Sequence, residues 1–131
     1  MKFFGTDGIR GAVDGEIINY NFAHSFGVAL GKFLRFNAKI NGMVLLGRDP
    51  RPSSKGLQDA CGSGLRKEGF EVLDAGMLPT PALAFGVIDS KALLGVMITA
   101  SHNPHTDNGL KVFSQNGSKL SIEEELSLIH I

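Results

Sequence analysis

A chain of 131 residues is long enough for one hydrophobic core and too short for two ordinary domains. Its 13 basic and 13 acidic residues cancel, and no run of like charge appears, so neither a nucleic-acid footprint nor a membrane-surface patch is indicated. The lone Cys61 cannot close an internal disulfide, Asp7 interrupts the start before a signal-peptide core develops, and no apolar stretch approaches the ~20 residues that span a bilayer. These features predict a cytoplasmic protein with small-molecule partners, no nucleic acid and no membrane, and leave the oligomeric state open. Seventeen glycines, roughly twice the usual ~7% share, call for many turns or close backbone approaches.

The first segment, Phe4-Gly5-Thr6-Asp7-Gly8-Ile9-Arg10-Gly11, spaces three glycines around Asp7 and Arg10. Such a backbone suits close approach to an anion, and Arg10 offers a bidentate contact to phosphate. The plainer alternative is a surface turn with a solvated charge pair. From Asn19 to Phe36, apolar residues at Phe22, Phe26, Leu30, Phe33 and Leu34 line one helical face, with Asn19 as N-cap. Met43 to Leu46 reads as a short buried strand, and Gly47-Arg48-Asp49-Pro50-Arg51-Pro52 as a loop. Ser53 or Ser54 then caps a helix that Gly69 ends. Phe70 to Leu73 predicts a strand, Leu78-Pro79-Thr80-Pro81 a loop, Ala82 to Ile88 a short helix, and Leu94 to Thr99 a second buried strand. This alternation predicts a mostly parallel sheet with helices on both faces.

The last strand runs into Thr99-Ala100-Ser101-His102-Asn103-Pro104, which offers a hydroxyl where open α/β sheets place their chemistry. The chain returns through His105, Asp107 and Asn108 to Lys111, a course expected to bring an imidazole, a carboxamide and an ammonium back toward Ser101. A nucleophile with donors nearby is a reaction-site candidate; a turn serine or helix cap is the alternative. Neighbouring Ser101 and His102 tend to point apart and the hydrolase elbow is missing, which argues against a serine hydrolase. His102, His105 and Asp107 read better as solvated loop residues than as a transition-metal site. After Phe113, Gln115-Asn116-Gly117-Ser118 is a hairpin signal leading to Lys119-Leu120, which predicts an antiparallel edge on the sheet. Ser121-Ile122-Glu123-Glu124 is a capping box that opens a helix.

Other patterns point to packing. Gly27 to Phe33 lacks the spacing and the final Ser or Thr of a phosphate-binding P-loop, and Gly62-Ser63-Gly64 lacks the third glycine of a dinucleotide fingerprint. The small residues at 62–64 are expected to let their helix approach the sheet.

Taken together, the N-terminal octapeptide, Ala100 to Pro104 and Asp107-Asn108-Gly109-Leu110-Lys111 resemble the α-D-phosphohexomutases. Gly47-Arg48-Asp49 and Pro79-Thr80-Pro81 fall in the expected order between them. The octapeptide is most similar to that of members acting on a phosphorylated hexosamine. The resemblance implies a three-layer α/β/α first domain over residues 1–125, incomplete at its C-terminus, of a four-domain enzyme that moves a phosphoryl group between the 6- and 1-oxygens of a hexose. Residues 126–131 are expected to be a non-native tail. By the same resemblance Ser101 would carry the phosphoryl group, Arg10 would hold it, and His102 and Lys111 would be proton-transfer candidates. Thr6, Asp7, Asn103 and Asn108 would shape the phosphate loop. Mg²⁺ would take one oxygen of the Ser101 phosphate as a ligand, as a hard cation requires, its other ligands coming from later domains. The family pattern of Gly47 to Ser54 is altered at Pro50 and Ser54, changes expected to affect a loop away from the phosphate. His105 stands where an aromatic is common. A non-catalytic anion-binding module is the rival from another class.

Overall fold

The computed structural model describes residues 9–12, 18–37, 39, 41–100, 104 and 106–120. In chain order the elements are β1 (Ile9–Ala12), α1 (Tyr20–Phe36), β2 (Met43–Arg48), α2 (Ser54–Lys67), β3 (Glu71–Met77), α3 (Thr80–Ser90), β4 (Leu94–Ile98) and β5 (Asp107–Ser114). The strands form one mixed sheet in the order β1-β5-β4-β2-β3. β2 runs parallel to both β3 and β4, while β5 is antiparallel to β4 and to β1.

Alternation along the central strands assigns the two faces. Val44, Leu46, Val96, Ile98, Leu110 and Val112 pack against α1 and α2, whereas Leu45, Met97 and Phe113 pack with Leu83 and Val87 of α3. β4 is buried along its whole length, as a central strand covered on both faces must be. α1 and α2 touch through backbone: a Cβ at Gly27 would lie 2.1 Å from the Cys61 carbonyl oxygen, and one at Gly64 2.1 Å from that of His24. Gly64 therefore admits α1 rather than the sheet, which corrects the expectation for the 62–64 glycines; only Gly62 faces the sheet, opposite Leu46 and Val72.

Several element ends differ from the sequence reading. Asn19 caps α1 as expected, its side chain accepting from the Phe22 N–H at 2.7 Å. Ser53 occupies the N-cap of α2 in a helical rather than extended backbone conformation and makes no side-chain cap bond; its hydroxyl accepts from Asn108. Glu68 is the C-cap of α2, and Gly69 follows at φ +94°, the left-handed region that glycine enters without strain. β3 continues past Leu73 to Met77 through a register shift against β2. Asp74 supports that irregularity by accepting from the Gly76 N–H at 2.7 Å. α3 starts at Thr80 rather than Ala82, since Pro81 lies in the first turn, where no N–H is needed.

The expected antiparallel edge is present and is made by β5 with β1 outside it, β1 pairing along β5 from Ile9↔Leu110 to Ala12↔Asp107. The Asn116-Gly117 turn leads back to a single bridge, Phe113↔Lys119. The capping box at 121–124 and the segment 126–131 lie outside the described residues.

Candidate functional site at the carboxyl end of the parallel strands

β2 and β4 are neighbours, paired up to Arg48↔Ile98, so the loops leaving their carboxyl ends meet. The Asp49 N–H donates to the Ile98 carbonyl at 3.1 Å, and beyond it side chains take over. The Thr99 hydroxyl donates to Asp49 Oδ2 at 2.7 Å, and the Ser54 hydroxyl donates to Oδ1 at 2.8 Å. Arg51 pairs with the Asp49 carboxylate through Nη1 and donates its backbone N–H to Oδ1 at 3.1 Å. Nη1 also lies 3.5 Å from Thr99 Oγ1. Burial pushes the Asp49 carboxyl up, but the bonds from Thr99, Ser54 and the Arg51 N–H, with the Arg51 charge, outweigh it and hold the group below its ordinary value.

Asn108 closes the arrangement from β5. Its side chain is fully buried; Nδ2 donates to the Ser53 and Ser54 hydroxyls, both at 2.9 Å, and Oδ1 accepts from the Gly109 N–H. The Thr99 N–H donates to the Gly109 carbonyl at 3.0 Å, and Gly109 pairs with Arg10 across β1 and β5. Arg10 on β1, Gly109 on β5 and Thr99 just past the end of β4 thus form one row, which brings the Arg10 backbone into line with the residue that follows β4.

Lys111 is placed apart from Asn108. It pairs with Met97 on β4, and its Nζ stands 5.7 Å from the centroid of the Phe113 ring, on the α3 side of the sheet. Three residues apart on one strand, the carboxamide and the ammonium leave β5 on opposite faces. Thr6, Asp7, Ser101, His102 and Asn103 lie outside the described residues, as does the side chain of Arg10.

Asp49, Arg51, Ser54 and Thr99 were not among the site residues read from the sequence. The altered stretch from Pro50 to Ser54 is not remote: it is hydrogen-bonded to Thr99, two residues before Ser101. The available signal was position, since Asp49 and Thr99 each follow a buried strand. Further along β2, Arg48 Nη1 donates to Gln58 Oε1 at 3.1 Å and Asp74 Oδ1 at 3.3 Å. Among the described residues no group of three His, Cys, Asp or Glu side chains is placed to hold a metal ion. The expected ligand, the phosphate on Ser101, lies outside them.

An open α/β sheet whose polar loops gather at the carboxyl ends of adjacent parallel strands is the architecture in which ligand sites form at that edge. The chain belongs to the phosphoglucomutase/phosphomannomutase family, whose α/β/α domain I matches residues 1–131. A phosphoglucosamine mutase of Francisella philomiragia is 46% identical over 127 residues, covering 95% of this chain and 28% of that protein. One from Francisella tularensis is 45% identical over the same length. Among solved structures, a candidate phosphomannomutase from Thermus thermophilus superposes with TM-score 0.87 at 32% identity, over 95% of this chain and 28% of the other. A phosphoglucomutase/phosphomannomutase family protein from Burkholderia thailandensis gives 0.82 at 30% identity, over 98% and 29%. The chain spans about 28% of the length of the curated relatives it matches.

Proposed function

We propose that this domain supplies the phosphoryl-carrying serine of a phosphoglucosamine mutase, which interconverts glucosamine 6-phosphate and glucosamine 1-phosphate in the cytoplasm. The observation that carries this reading is the 46% identity to a protein of that name across nearly the whole chain. The position of Ser101, just past the carboxyl end of a buried central strand, supports it.

In this reading Ser101 Oγ carries the phosphoryl group. A substrate hydroxyl oxygen attacks the phosphorus, the P–Oγ bond breaks, the hydroxyl proton passes to His102 or Lys111, and the departing Ser101 Oγ takes up a proton that it gives back when it receives the second phosphoryl group. The bisphosphorylated sugar then returns its other phosphoryl group to Ser101. Arg10 holds the transferring phosphate by a charge-assisted contact, while Thr6, Asp7, Asn103 and Asn108 shape the loop around it. Mg²⁺ is the cofactor of this proposal; with the Ser101 phosphate as its ligand from this chain, it would neutralise phosphate charge.

The test uses the longer enzyme that carries this domain. Intact-mass analysis with fragmentation is expected to find one phosphate on Ser101. Ser101→Ala should abolish turnover, whereas His102→Ala, Lys111→Ala and Arg10→Ala should lose about 10²- to 10⁴-fold. A phosphate on another residue, or near-normal turnover of Ser101→Ala, refutes the assignment. A second reading, with glucose or mannose phosphate as substrate, is favoured by the descriptions of the two solved structures; relative kcat/KM for the three sugars decides between them.

A further inference from the structure

The segment from Thr99 to Asn108 leaves the sheet at one strand and re-enters at the next, and both of its ends are tied to one side chain. At the entry, Thr99 Oγ1 donates to Asp49 Oδ2 at 2.7 Å. At the exit, Asn108 Nδ2 donates to Ser54 Oγ at 2.9 Å, and the Ser54 hydroxyl in turn donates to Asp49 Oδ1 at 2.8 Å. Arg51, 8% exposed, braces the carboxylate from a third side. We propose that Asp49 is the positioning residue of the Ser101 loop, one carboxylate oxygen holding the loop's entry through Thr99 and the other its exit through Ser54 and Asn108. The proposal rests on Ser101 being the phosphoryl carrier.

The donor inventory favours a carboxylate here. Both oxygens accept, from two hydroxyls, a guanidinium and a backbone N–H. An amide in its place has one acceptor oxygen and sets two N–H donors against a neighbouring donor, so one end of the loop must let go. The fully buried Ser54 and Asn108 cannot turn to water for replacement partners. Phosphoryl transfer depends on placement of the reacting oxygen, and a shift of about 1 Å costs up to ~10²-fold. Asp49 and Thr99 act in this way without touching the substrate.

Two measurements test the proposal. In the 131-residue chain, hydrogen exchange is read at the amides of residues 100–103 and 105–107 for Thr99→Val, Thr99→Ser and Asp49→Asn. Valine keeps the branched shape of Thr99 and removes its hydroxyl. Thr99→Val and Asp49→Asn are expected to speed loop exchange by about tenfold, the worth of one strong hydrogen bond, relative to β4 core amides such as Val96. Thr99→Ser should stay near wild type. In the longer enzyme, Thr99→Val should lower kcat by about 10- to 100-fold with KM within roughly twofold, and Thr99→Ser should restore it. Unchanged loop exchange in Thr99→Val, or unchanged kcat while Ser101→Ala is dead, overturns the proposal. If Ser101→Ala retains turnover, the functional reading falls instead, and the exchange experiment still decides whether Asp49 clasps the loop. Should Asp49→Asn fail to fold, the Thr99 pair and Ser54→Ala decide it alone.

Discussion

Gly64→Ala tests whether α1 and α2 are held at a separation that only glycine permits. The new Cβ would stand 2.1 Å from the His24 carbonyl oxygen and 2.7 Å from the Val28 nitrogen, both backbone atoms that cannot rotate aside. Ordinary carbon-to-oxygen contacts begin at about 3.3 Å, so the helices must part by roughly 1 Å. That opens the layer in which Ala23, Phe26 and Leu30 meet Leu57, Cys61 and Leu65. Overpacking of this kind costs up to about 3 kcal/mol, offset by about 1 kcal/mol from replacing a helical glycine with alanine. The net loss of about 2 kcal/mol corresponds to a fall in Tm of about 8 °C for a domain of this size. Circular dichroism melting of the single variant measures it. Gly76→Ala is the control: no described atom lies within 4 Å of its Cβ position, and at φ +76° only backbone strain of about 1 kcal/mol remains. Gly27 faces Gly64, with its carbonyl carbon 3.1 Å from the Gly64 Cβ position, so helices already parted for one alanine accommodate the other. The double variant should therefore lose less than the sum of the singles. A Gly64→Ala chain that melts at or above wild type refutes the reasoning.

Burial pushes the Cys61 thiol from 9.0 up to about 12, so it should resist a thiol reagent in the native chain and react once per chain in urea. Its raised value adds stability that is whole below pH 9 and lost as pH rises toward 12, readable as a falling urea midpoint. Asp49 works in the opposite sense: its carboxyl is held below 3.8, so its contribution is present above that value and lost as pH falls through the lower native one. Asp49→Asn should flatten the acid limb of the urea midpoint against pH; an unchanged limb would assign acid unfolding to other carboxylates. Asn19→Ala removes the cap on the Phe22 N–H and should cost ~1 kcal/mol in urea unfolding, while Asn19→Asp keeps most of it.

Local pattern determined much of this chain. The stripe from Phe22 to Leu34 with Asn19 ahead of it specifies α1, and the uninterrupted apolar runs at 43–46 and 94–98 specify strands covered on both faces, because periodicity and capping act within a few residues. The alternation of strands and helices was enough for an α/β sheet with a polar loop after its central strand. β1 was invisible in the same way that its motif was visible: Ile9 to Ala12 carries no strand period, and it is a strand because β5 offers an unpaired edge. The faces of Asn108 and Lys111 depend on β5 being continuous extended chain, which separates two residues that proximity in sequence had grouped. The joining of Asp49 to Thr99 is likewise tertiary. Fifty residues separate them, and they meet because β2 and β4 are neighbours in register, so that a carboxylate and a hydroxyl with no local reason to pair share the end of the same sheet.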